Sequence, residues 1–381
     1  MNSVIKLTLL CLIIFTSSQG KADDIKLHKQ KMHNWLTGQI VNLDQNSSLI
    51  TSYTGGKRSF TYDQALATIY FSRSGYFDKA AKLLKGFEKI QLDDGSWYFS
   101  YYLDGTSPYP ENGDYRPNGA IAWMILAIIT YEIYSQDIQF RQSWVKGLSY
   151  LKKQITKFKL NNDAKKVYAL PFSSVNYENT AWDQTNITPL EHAVDALSAF
   201  RAAQKIQKNQ KWKTAQEQLE RFSLALWDES RQKFWGGAKI STGTINKGFF
   251  YLDNQTWTAL ALEHLPIKNL SKKALNTACE QLVVQGKFGA GFSEGKSSTS
   301  HAKFVWSEGS AGKALTLKRL DYECEKISHE EIIQTLLNMQ TKQGGIYYID
   351  RLGVDSFAHK PSVAGTVWTL FAIKNINPFS P

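Results

Sequence analysis

Acidic, amide and aromatic side chains recur in this sequence close to residues that can begin helices. Asp63, Asp253 and Glu308 each stand within a short polar segment that precedes an apolar helical pattern. Hydrolysis of a glycosidic bond needs two carboxyl groups, one kept protonated by its surroundings and one ionised. Indole and phenol rings stack on sugar rings, while carboxylates and amides bond to sugar hydroxyls. This combination predicts a carbohydrate site.

The predicted general acid is Glu308, because Trp306 and Phe304 can supply the apolar contact that raises a carboxyl pKa. Asp63 is the predicted base or nucleophile, and Asp253 is the reserve for either role. An acidic residue in a first helical turn also serves as a cap or dipole partner, so each assignment has a structural alternative. The predicted substrate-binding residues are Tyr62, Gln64, Asn118, Trp182, Asp183, Glu191, His192, Asp195, Asn254, Gln255, Trp306 and His359.

Some of these residues have a second interpretation that the sequence leaves open. Asp195 follows Glu191 by four residues and so lies on the same helical face, where it either binds sugar or holds neighbouring side chains. The indoles that lie about one turn inside their helices, and that we expect in the core, are Trp123, Trp257 and Trp368.

Other chemistries lack their sequence signatures. There is no Gly-x-Ser-x-Gly elbow and no phosphate-binding glycine loop. His192 and His359 have no partners at metal-ligand spacing, so we expect neither a metal nor another cofactor. The net charge of +11 is spread over lysines of predicted helices, which disfavours nucleic acid as a partner and suits acidic glycans or anionic surfaces. No oligomeric state is indicated.

The N-terminus has the pattern of a cleavable signal peptide over residues 1–22. Lys6 precedes an apolar stretch at residues 7–15 that is too short to span a bilayer, and Gly20 and Ala22 are placed for cleavage. We therefore expect a periplasmic or secreted protein without a membrane span. Cys279 and Cys324 then remain, either as a disulfide or as two buried thiols.

A glycine-and-aromatic segment is repeated before helices that are rich in small residues. Its four copies lie at residues 95–98, 234–237, 289–292 and 344–347. A repeat on this scale indicates one supersecondary unit that is used many times.

Helical patterns of two kinds alternate along the chain. Apolar, Ala- and Leu-rich inner helices are predicted to start near Tyr62, Asn118, Pro189, Asn254, Ser307 and Val363. Outer helices with a polar face are predicted at 26–41, 76–90, 140–157, 211–227, 271–284 and 328–339. This pattern predicts an all-α (α/α)6 toroid of six helical hairpins, forming a single domain over residues 23–381. The glycine-and-aromatic segments are predicted to form short strands or hairpins beside a central cleft, at the N-terminal ends of the inner helices.

Four short phrases resemble those of exported bacterial proteins of the six-hairpin glycosidase superfamily. They are TYDQAL at 61–66, EHAVDA at 191–196, LDNQTW at 252–257 and VWSEG at 305–309. The resemblance extends over roughly residues 62–372. It implies an (α/α)6 toroid and an enzyme that hydrolyses, eliminates, phosphorolyses or epimerises sugars. The hydrolysing members use Asp or Glu pairs at inner-helix starts, and the matching positions here are Asp63, Glu191, Asp253 and Glu308.

The sequence therefore favours an exported glycoside hydrolase acting on a polysaccharide or oligosaccharide. One alternative is a polysaccharide lyase or sugar epimerase acting on an acidic glycan, with Tyr62, His192, His301 or His359 transferring protons. Another alternative is a glycan-binding or assembly factor that has lost its acid–base pair and has kept the cleft.

Overall fold

Helices dominate the computed structural model, which describes residues 23–109, 115–161, 166–176, 183–301, 303–351 and 359–381. The predicted signal peptide and Trp182 lie outside the described residues. The helices of the described part are α1 (23–38), α2 (Thr61–Arg73), α3 (Phe77–Lys89), α4 (Asn118–Ser135), α5 (Arg141–Gln154), α6 (Leu190–Ile206), α7 (Gln210–Ala225), α8 (Leu252–Ala261), α9 (Lys268–Leu282), α10 (Ser307–Leu320), α11 (His329–Asn338) and α12 (Val363–Lys374).

The even-numbered helices form a closed inner ring. Each contacts the next even-numbered helix along the chain, and α12 returns to pack against α2. Their residues are buried on nearly every side, as expected for helices enclosed by neighbours. The outer helices bury one face and expose a polar one. The predicted (α/α)6 fold is therefore confirmed. None of the described helices combines the length and the apolar character needed to cross a membrane.

Short antiparallel strand pairs connect the helices. The strands are β1 (Ile40–Asn42), β2 (Ser48–Ile50), β3 (Arg58–Phe60), β4 (Ser100–Tyr102), β5 (Thr156–Lys159), β6 (Lys166–Ala169), β7 (Ile187–Pro189), β8 (Trp227–Asp228), β9 (Lys233–Phe234), β10 (Gly237–Lys239), β11 (Phe249–Tyr251), β12 (Val283–Gln285), β13 (Ala290–Phe292), β14 (Gly295–Ser297), β15 (Ile346–Tyr347) and β16 (Pro361–Ser362). Consecutive strands pair, except that β7 pairs with β10 and β11 pairs with β14.

One outer helix is shorter than predicted. The helix predicted at residues 140–157 ends at Gln154, and the chain continues as β5, which pairs with β6. The β-branched residues Ile155 and Thr156 favour the extended backbone at this point.

The first residue of every inner helix donates its backbone N–H to a carbonyl of a neighbouring loop segment. These bonds run from Thr61 to Phe99, Asn118 to Phe172, Leu190 to Gly236, Leu252 to Glu294, Ser307 to Tyr348 and Val363 to Ser52, with nitrogen–oxygen distances of 3.0, 2.8, 3.1, 2.9, 3.0 and 2.9 Å. Each bond satisfies an N–H that the helix itself leaves without a partner. All six helices consequently begin at the same level of the ring.

Four of these loop segments also bind the next inner helix through a side chain. In each case the side chain of the helix's fourth residue accepts a hydrogen bond from a backbone N–H of the loop segment. This N–H belongs to the residue two positions before the one whose carbonyl binds the start of the other helix. The pairs are Gln64 with Ile50, Gln255 with Phe234, Ser310 with Phe292 and Thr366 with Ile346, each at 2.9 Å. Each of these segments therefore joins two adjacent inner helices.

The recurring glycine of the four repeated segments has a backbone reason. Gly95, Gly237, Gly289 and Gly344 all have positive φ, between 91° and 141°, which side chains disfavour. A Cβ on Gly344 would also lie 2.1 Å from the carbonyl oxygen of Lys31. Glycine is therefore required where the segments that contain Gly95, Gly289 and Gly344 turn, whereas Gly237 lies in β10.

Cys279 and Cys324 form a disulfide across 45 residues of sequence. The bond joins α9 to the segment that follows α10. Of the two alternatives that the sequence leaves open, the structure shows the disulfide.

Replacing both cysteines, as Cys279→Ala with Cys324→Ala, should lower the free energy of unfolding by about 3–4 kcal/mol, because the cross-link restricts the unfolded chain. Denaturant titration of both proteins, with and without reductant, measures this. Reduced wild type should match the double variant. Equal stability of oxidised and reduced wild type would contradict the expectation.

Candidate active site

The common starting level of the inner helices places their second residues around the mouth of the ring. These residues are Tyr62, Gly119, Glu191, Asp253, Glu308 and Ala364. The Tyr62 hydroxyl donates a hydrogen bond to Oε1 of Glu308 at 2.5 Å. Because α12 stands between α2 and α10 in the ring, this bond connects the two helices on either side of α12. The second residues of different helices therefore meet in one place.

One helical turn deeper, three indoles form the floor. The rings of Trp257 and Trp368 are stacked with centroids 5.7 Å apart, and Trp123 meets Trp257 edge-on at 5.9 Å. Phe379, near the C-terminal end of the described chain, packs against all three indoles. The expectation that they are buried is confirmed, but Trp123 and Trp257 also line the cleft.

The cleft consists of two adjoining hollows that share Glu191 and Phe172. The aromatic hollow, of about 310 Å³, is walled by Tyr62, Phe99, Tyr115, Trp123, Phe172 and Trp257, with Gly119, His192 and Asp195 also lining it. The acidic hollow, of about 350 Å³, is lined by Glu191, Asp253, Glu294, Asn246, Asn254 and Tyr251. Flat apolar walls beside converging polar groups are typical of small-ligand sites.

Glu308 is a protonated acid at neutral pH. Burial raises its pKa to about 8, and the neighbouring carboxyls Asp63, Glu191 and Glu294 act in the same direction. The hydrogen bond from Tyr62 acts against them and lowers the pKa. Trp368 in turn donates its indole N–H to the Tyr62 hydroxyl at 2.7 Å. The orientation of the Glu308 carboxyl is thus set by Tyr62, and that of Tyr62 by Trp368.

Glu191 and Asp253 form a hydrogen-bonded carboxyl pair in the acidic hollow. Burial raises the pKa of both, and their mutual repulsion raises that of Asp253 further. Two carboxyl groups this close share a proton, because both cannot ionise together at low cost. The pair therefore offers one carboxylate in the acidic hollow, near enough to Glu308 for the charge of Glu191 to raise its pKa.

Asp195 and His192 lie on α6 beside this pair. Burial and the nearby carboxyls raise the pKa of Asp195 well above its usual value, while the Trp123 indole lowers it. Burial lowers the pKa of His192 to about 3, and its ring packs against Phe172 with centroids 4.6 Å apart. Nε2 of His192 lies 3.7 Å from Oε1 of Glu191. His192 is therefore neutral at neutral pH, and the surroundings of Asp195 favour its protonated form.

Asp63, the predicted base, is buried but is not among the described residues that line the two hollows. Burial raises its pKa to about 7, while the Ser52 hydroxyl and the Ala364 amide lower it. Asp63 thus lies between the starts of α2 and α12. The charge of Asp63 raises the pKa of Glu308.

Gln64 and Gln255 were predicted to bind substrate, and their positions correct this prediction. Both are fully buried. Gln64 accepts from Ile50 and donates to the carbonyl of Leu83, and Gln255 accepts from and donates to the backbone of Phe234. Their amides are occupied in holding loop segments.

Other predicted residues also stand outside the two hollows. Asn118 is buried and donates to the carbonyl of Pro171, so it too holds a loop. Asp183 accepts from Thr185 within an exposed turn. Trp306 is buried directly before α10, and His359 stacks on Tyr347 with centroids 4.2 Å apart. The predicted substrate residues that do line the hollows are Tyr62, Glu191, His192, Asp195 and Asn254.

Glu294 and the aromatic walls Phe99 and Phe172 were not predicted from the sequence. Each of the three carries a carbonyl that accepts the first N–H of an inner helix. Phe99 and Glu294 could have been found from their spacing in the sequence after the repeated glycine. Phe99 follows Gly95 by four residues, and Glu294 follows Gly289 by five. That signal identifies the loop position without indicating the direction of the side chain.

Substituting alanine for Gly119 should damage the cleft. The added Cβ would lie 2.4 Å from Cδ2 of His192 and 2.9 Å from Oδ2 of Asp195, so overpacking should lower the free energy of unfolding by about 1–3 kcal/mol. The matched control is Gly38→Ala in α1, where nothing lies within 4 Å of the added atom. Thermal denaturation of the two variants makes the comparison. Equal stability of both variants would show that Gly119 is not under this constraint.

No protein-family model matches this chain, and no curated protein matches it. Solved structures do. A glycosidase variant in complex with glucose aligns with a TM-score of 0.68 and 9% identity, covering 93% of this chain and 97% of the other. Cellobiose 2-epimerase from Bacillus thermoamylovorans aligns at 0.66 and 10%, covering 92% and 100%. A GH76 α-mannanase of Bacteroides thetaiotaomicron aligns at 0.61 and 9%, covering 92% and 95%. The chain thus has the same (α/α)6 toroid fold as these three enzymes.

Proposed function

We propose that this protein is a glycoside hydrolase that cleaves a polysaccharide or oligosaccharide outside the cytoplasm. One observation carries the proposal: Glu308, whose pKa is raised to about 8, is bonded to the cleft residue Tyr62, and the charge of Glu191, from the Glu191–Asp253 pair that lines the same cleft, contributes to that rise. Glycoside hydrolysis needs these two states together, a carboxylic acid and a carboxylate. The glycosidase, epimerase and mannanase with the same fold support a carbohydrate-active enzyme.

In the proposed mechanism Glu308 donates its proton to the leaving glycosidic oxygen. Tyr62, which donates to Glu308, then stabilises the carboxylate that forms. The second carboxylate comes from the Glu191–Asp253 pair, either as the base that activates water or as the nucleophile. We prefer Asp253 to the predicted Asp63 for this role, because Asp253 lines the cleft.

The sugar rings are proposed to stack in the aromatic hollow. Phe172 and Tyr115 stand parallel there, with centroids 6.3 Å apart and planes 16° apart. The glucose complex of the structurally similar glycosidase supports a sugar ligand. The disulfide supports export, since such bonds persist in oxidising compartments.

The alternative, an epimerase or lyase, is favoured by the structural likeness to cellobiose 2-epimerase. Its chemistry needs a residue that takes a proton from carbon at neutral pH. His192 is the histidine that lines the described cleft, and burial makes it a weak base. His301 bonds with Ser293 at 3.1 Å, outside the residues that line the hollows. The described histidines thus fit this chemistry less well than the carboxyls fit hydrolysis.

The Glu308→Gln variant should lose at least about 100-fold in turnover, because the amide keeps the shape of the acid without its proton. Reducing-sugar release from a panel of neutral, amino and acidic glycans measures this. Asp253→Asn should lose a similar factor, and Asp63→Asn, its matched control in another first helical turn, should lose less than about tenfold. An active Glu308→Gln protein would refute the acid assignment, and a larger loss in Asp63→Asn would restore Asp63 as the base. Ultraviolet-absorbing or epimerised products would refute hydrolysis.

The rate should fall on the alkaline side near pH 8, because Glu308 acts only when protonated and its pKa is about 8. Tyr62→Phe removes a hydrogen bond that favours the carboxylate, so the pKa of Glu308 should rise and the alkaline limb should move to higher pH. The pH dependence of kcat/KM for both proteins is the measurement. A limb that stays in place or moves to lower pH would contradict this arrangement.

A further inference from the structure

The charge of the cleft is opposite to that of the chain. The sequence carries a net charge of +11, yet the described residues that line the two hollows include neither lysine nor arginine. Carboxyl groups collect there instead. They are Glu191, Asp195, Asp253 and Glu294, with Glu308 bonded to the lining residue Tyr62.

Two acceptor atoms in this cleft have no hydrogen-bond partner among the described residues. Oδ1 of Asp195 and Oδ1 of Asn254 are both unpaired, although the residues are only 2% and 3% exposed. Asp195 lines the aromatic hollow and Asn254 the acidic one. A buried polar atom without a partner is costly, so each is expected to meet a ligand or water.

An unpaired donor stands beside the aromatic hollow as well. The indole N–H of Trp257, which lines that hollow, is buried and has no partner within the described part of the chain. This group suits a hydroxyl or ring oxygen, while Asp195 and Asn254 suit a group that donates hydrogen bonds. A ligand that satisfies both sets carries donors and oxygen acceptors on one small framework, as a sugar does.

The carboxyl cluster does not have the arrangement of a metal site. Among the described residues no group of three or more His, Cys, Asp or Glu side chains could hold a metal ion. A protonated amine is less demanding, since it needs carboxylates around it without a fixed coordination geometry.

We propose that the substrate is a glycan with unsubstituted amino sugars, and that the carboxyl cluster of the cleft binds its ammonium group. This inference rests on the proposed function, because it takes the same cleft as the glycan site. An acidic glycan is disfavoured by like-charge repulsion, and an N-acetylated one offers no cation.

Binding of an ammonium has a signature that binding of a neutral sugar lacks. Burial and repulsion raise the pKa of Asp195 and Asp253, which favours their protonated forms. A bound cation favours the ionised carboxylates and lowers these pKa values. Protons are therefore released into the buffer on binding.

Calorimetry on the Glu308→Gln protein, which lacks the proton donor of the proposed mechanism, tests the inference. The probes are oligosaccharides of glucosamine, N-acetylglucosamine, glucose and galacturonate, each in two buffers of different ionisation enthalpy at about pH 6, where the amine is charged. Glucosamine oligosaccharides should bind at least about tenfold more tightly than glucose oligosaccharides, the effect of one charge-assisted hydrogen bond. They alone should release protons. Equal affinity, tighter galacturonate binding or no proton release would overturn the proposal, and so would equally tight binding of spermidine or calcium.

Asp195→Asn should remove the preference for the amine, because the amide keeps the shape of the side chain without its charge. Asp78→Asn, on the exposed face of α3, is the control and should keep the preference. Thermal denaturation confirms that both variants fold. A full preference in Asp195→Asn would place the ammonium site elsewhere and refute this assignment.

The outcomes for this inference and for the proposed function are separable. Hydrolysis of a neutral glycan that depends on Glu308, without any preference for amines, would overturn the inference and keep the function. Tight binding of amino sugars with no hydrolysis in the wild type would keep the inference and overturn the function.

Discussion

The structure depends on hydrogen bonds that join neighbouring inner helices through short loop segments. Segments such as 234–236 and 292–294 accept the first N–H of one inner helix and donate to a side chain of the next. Because the same arrangement recurs at four places, including the closure between α12 and α2, all inner helices begin at one level. The side chains at equivalent positions are therefore forced to converge. A cleft lined by second helical residues follows from backbone bonding rather than from attraction between those residues.

Convergence has an electrostatic consequence. Carboxyl groups brought together in a poorly solvated space repel one another, which raises the pKa of Glu308 to about 8 and raises that of Asp195 as well. The same convergence places Glu191 beside Asp253, where the two share a proton. The proton donor and the carboxylate of the proposed mechanism thus arise from the positions of these residues in the ring. The hydrogen bonds from Trp368 to Tyr62 and from Tyr62 to Glu308 fix the orientation of the Glu308 carboxyl.

The ring was predictable from the sequence, whereas the site was predictable only in part. Inner-helix starts were predicted within two residues, because apolar helices rich in small residues are a local signal. The site depends on finer register: a second helical residue such as Asp253 faces the cleft, whereas a fourth residue such as Gln255 faces a loop. In the sequence, Asp253 and Gln255 are both simply polar residues near the start of a helix, and nothing local distinguishes them. Glu294 was missed because its place in the cleft comes from a bond to α8, which no local pattern records.

The measurement that tests the proposed mechanism most directly is a crystal structure of the Glu308→Gln protein with a glucosamine oligosaccharide bound. We expect one glycosidic oxygen to lie within hydrogen-bond distance of the residue 308 side chain, with Asp253 on the other side of that sugar ring. The ring itself should contact the aromatic hollow. A sugar bound outside the two hollows, or one whose glycosidic oxygens all lie away from residue 308, would contradict the mechanism.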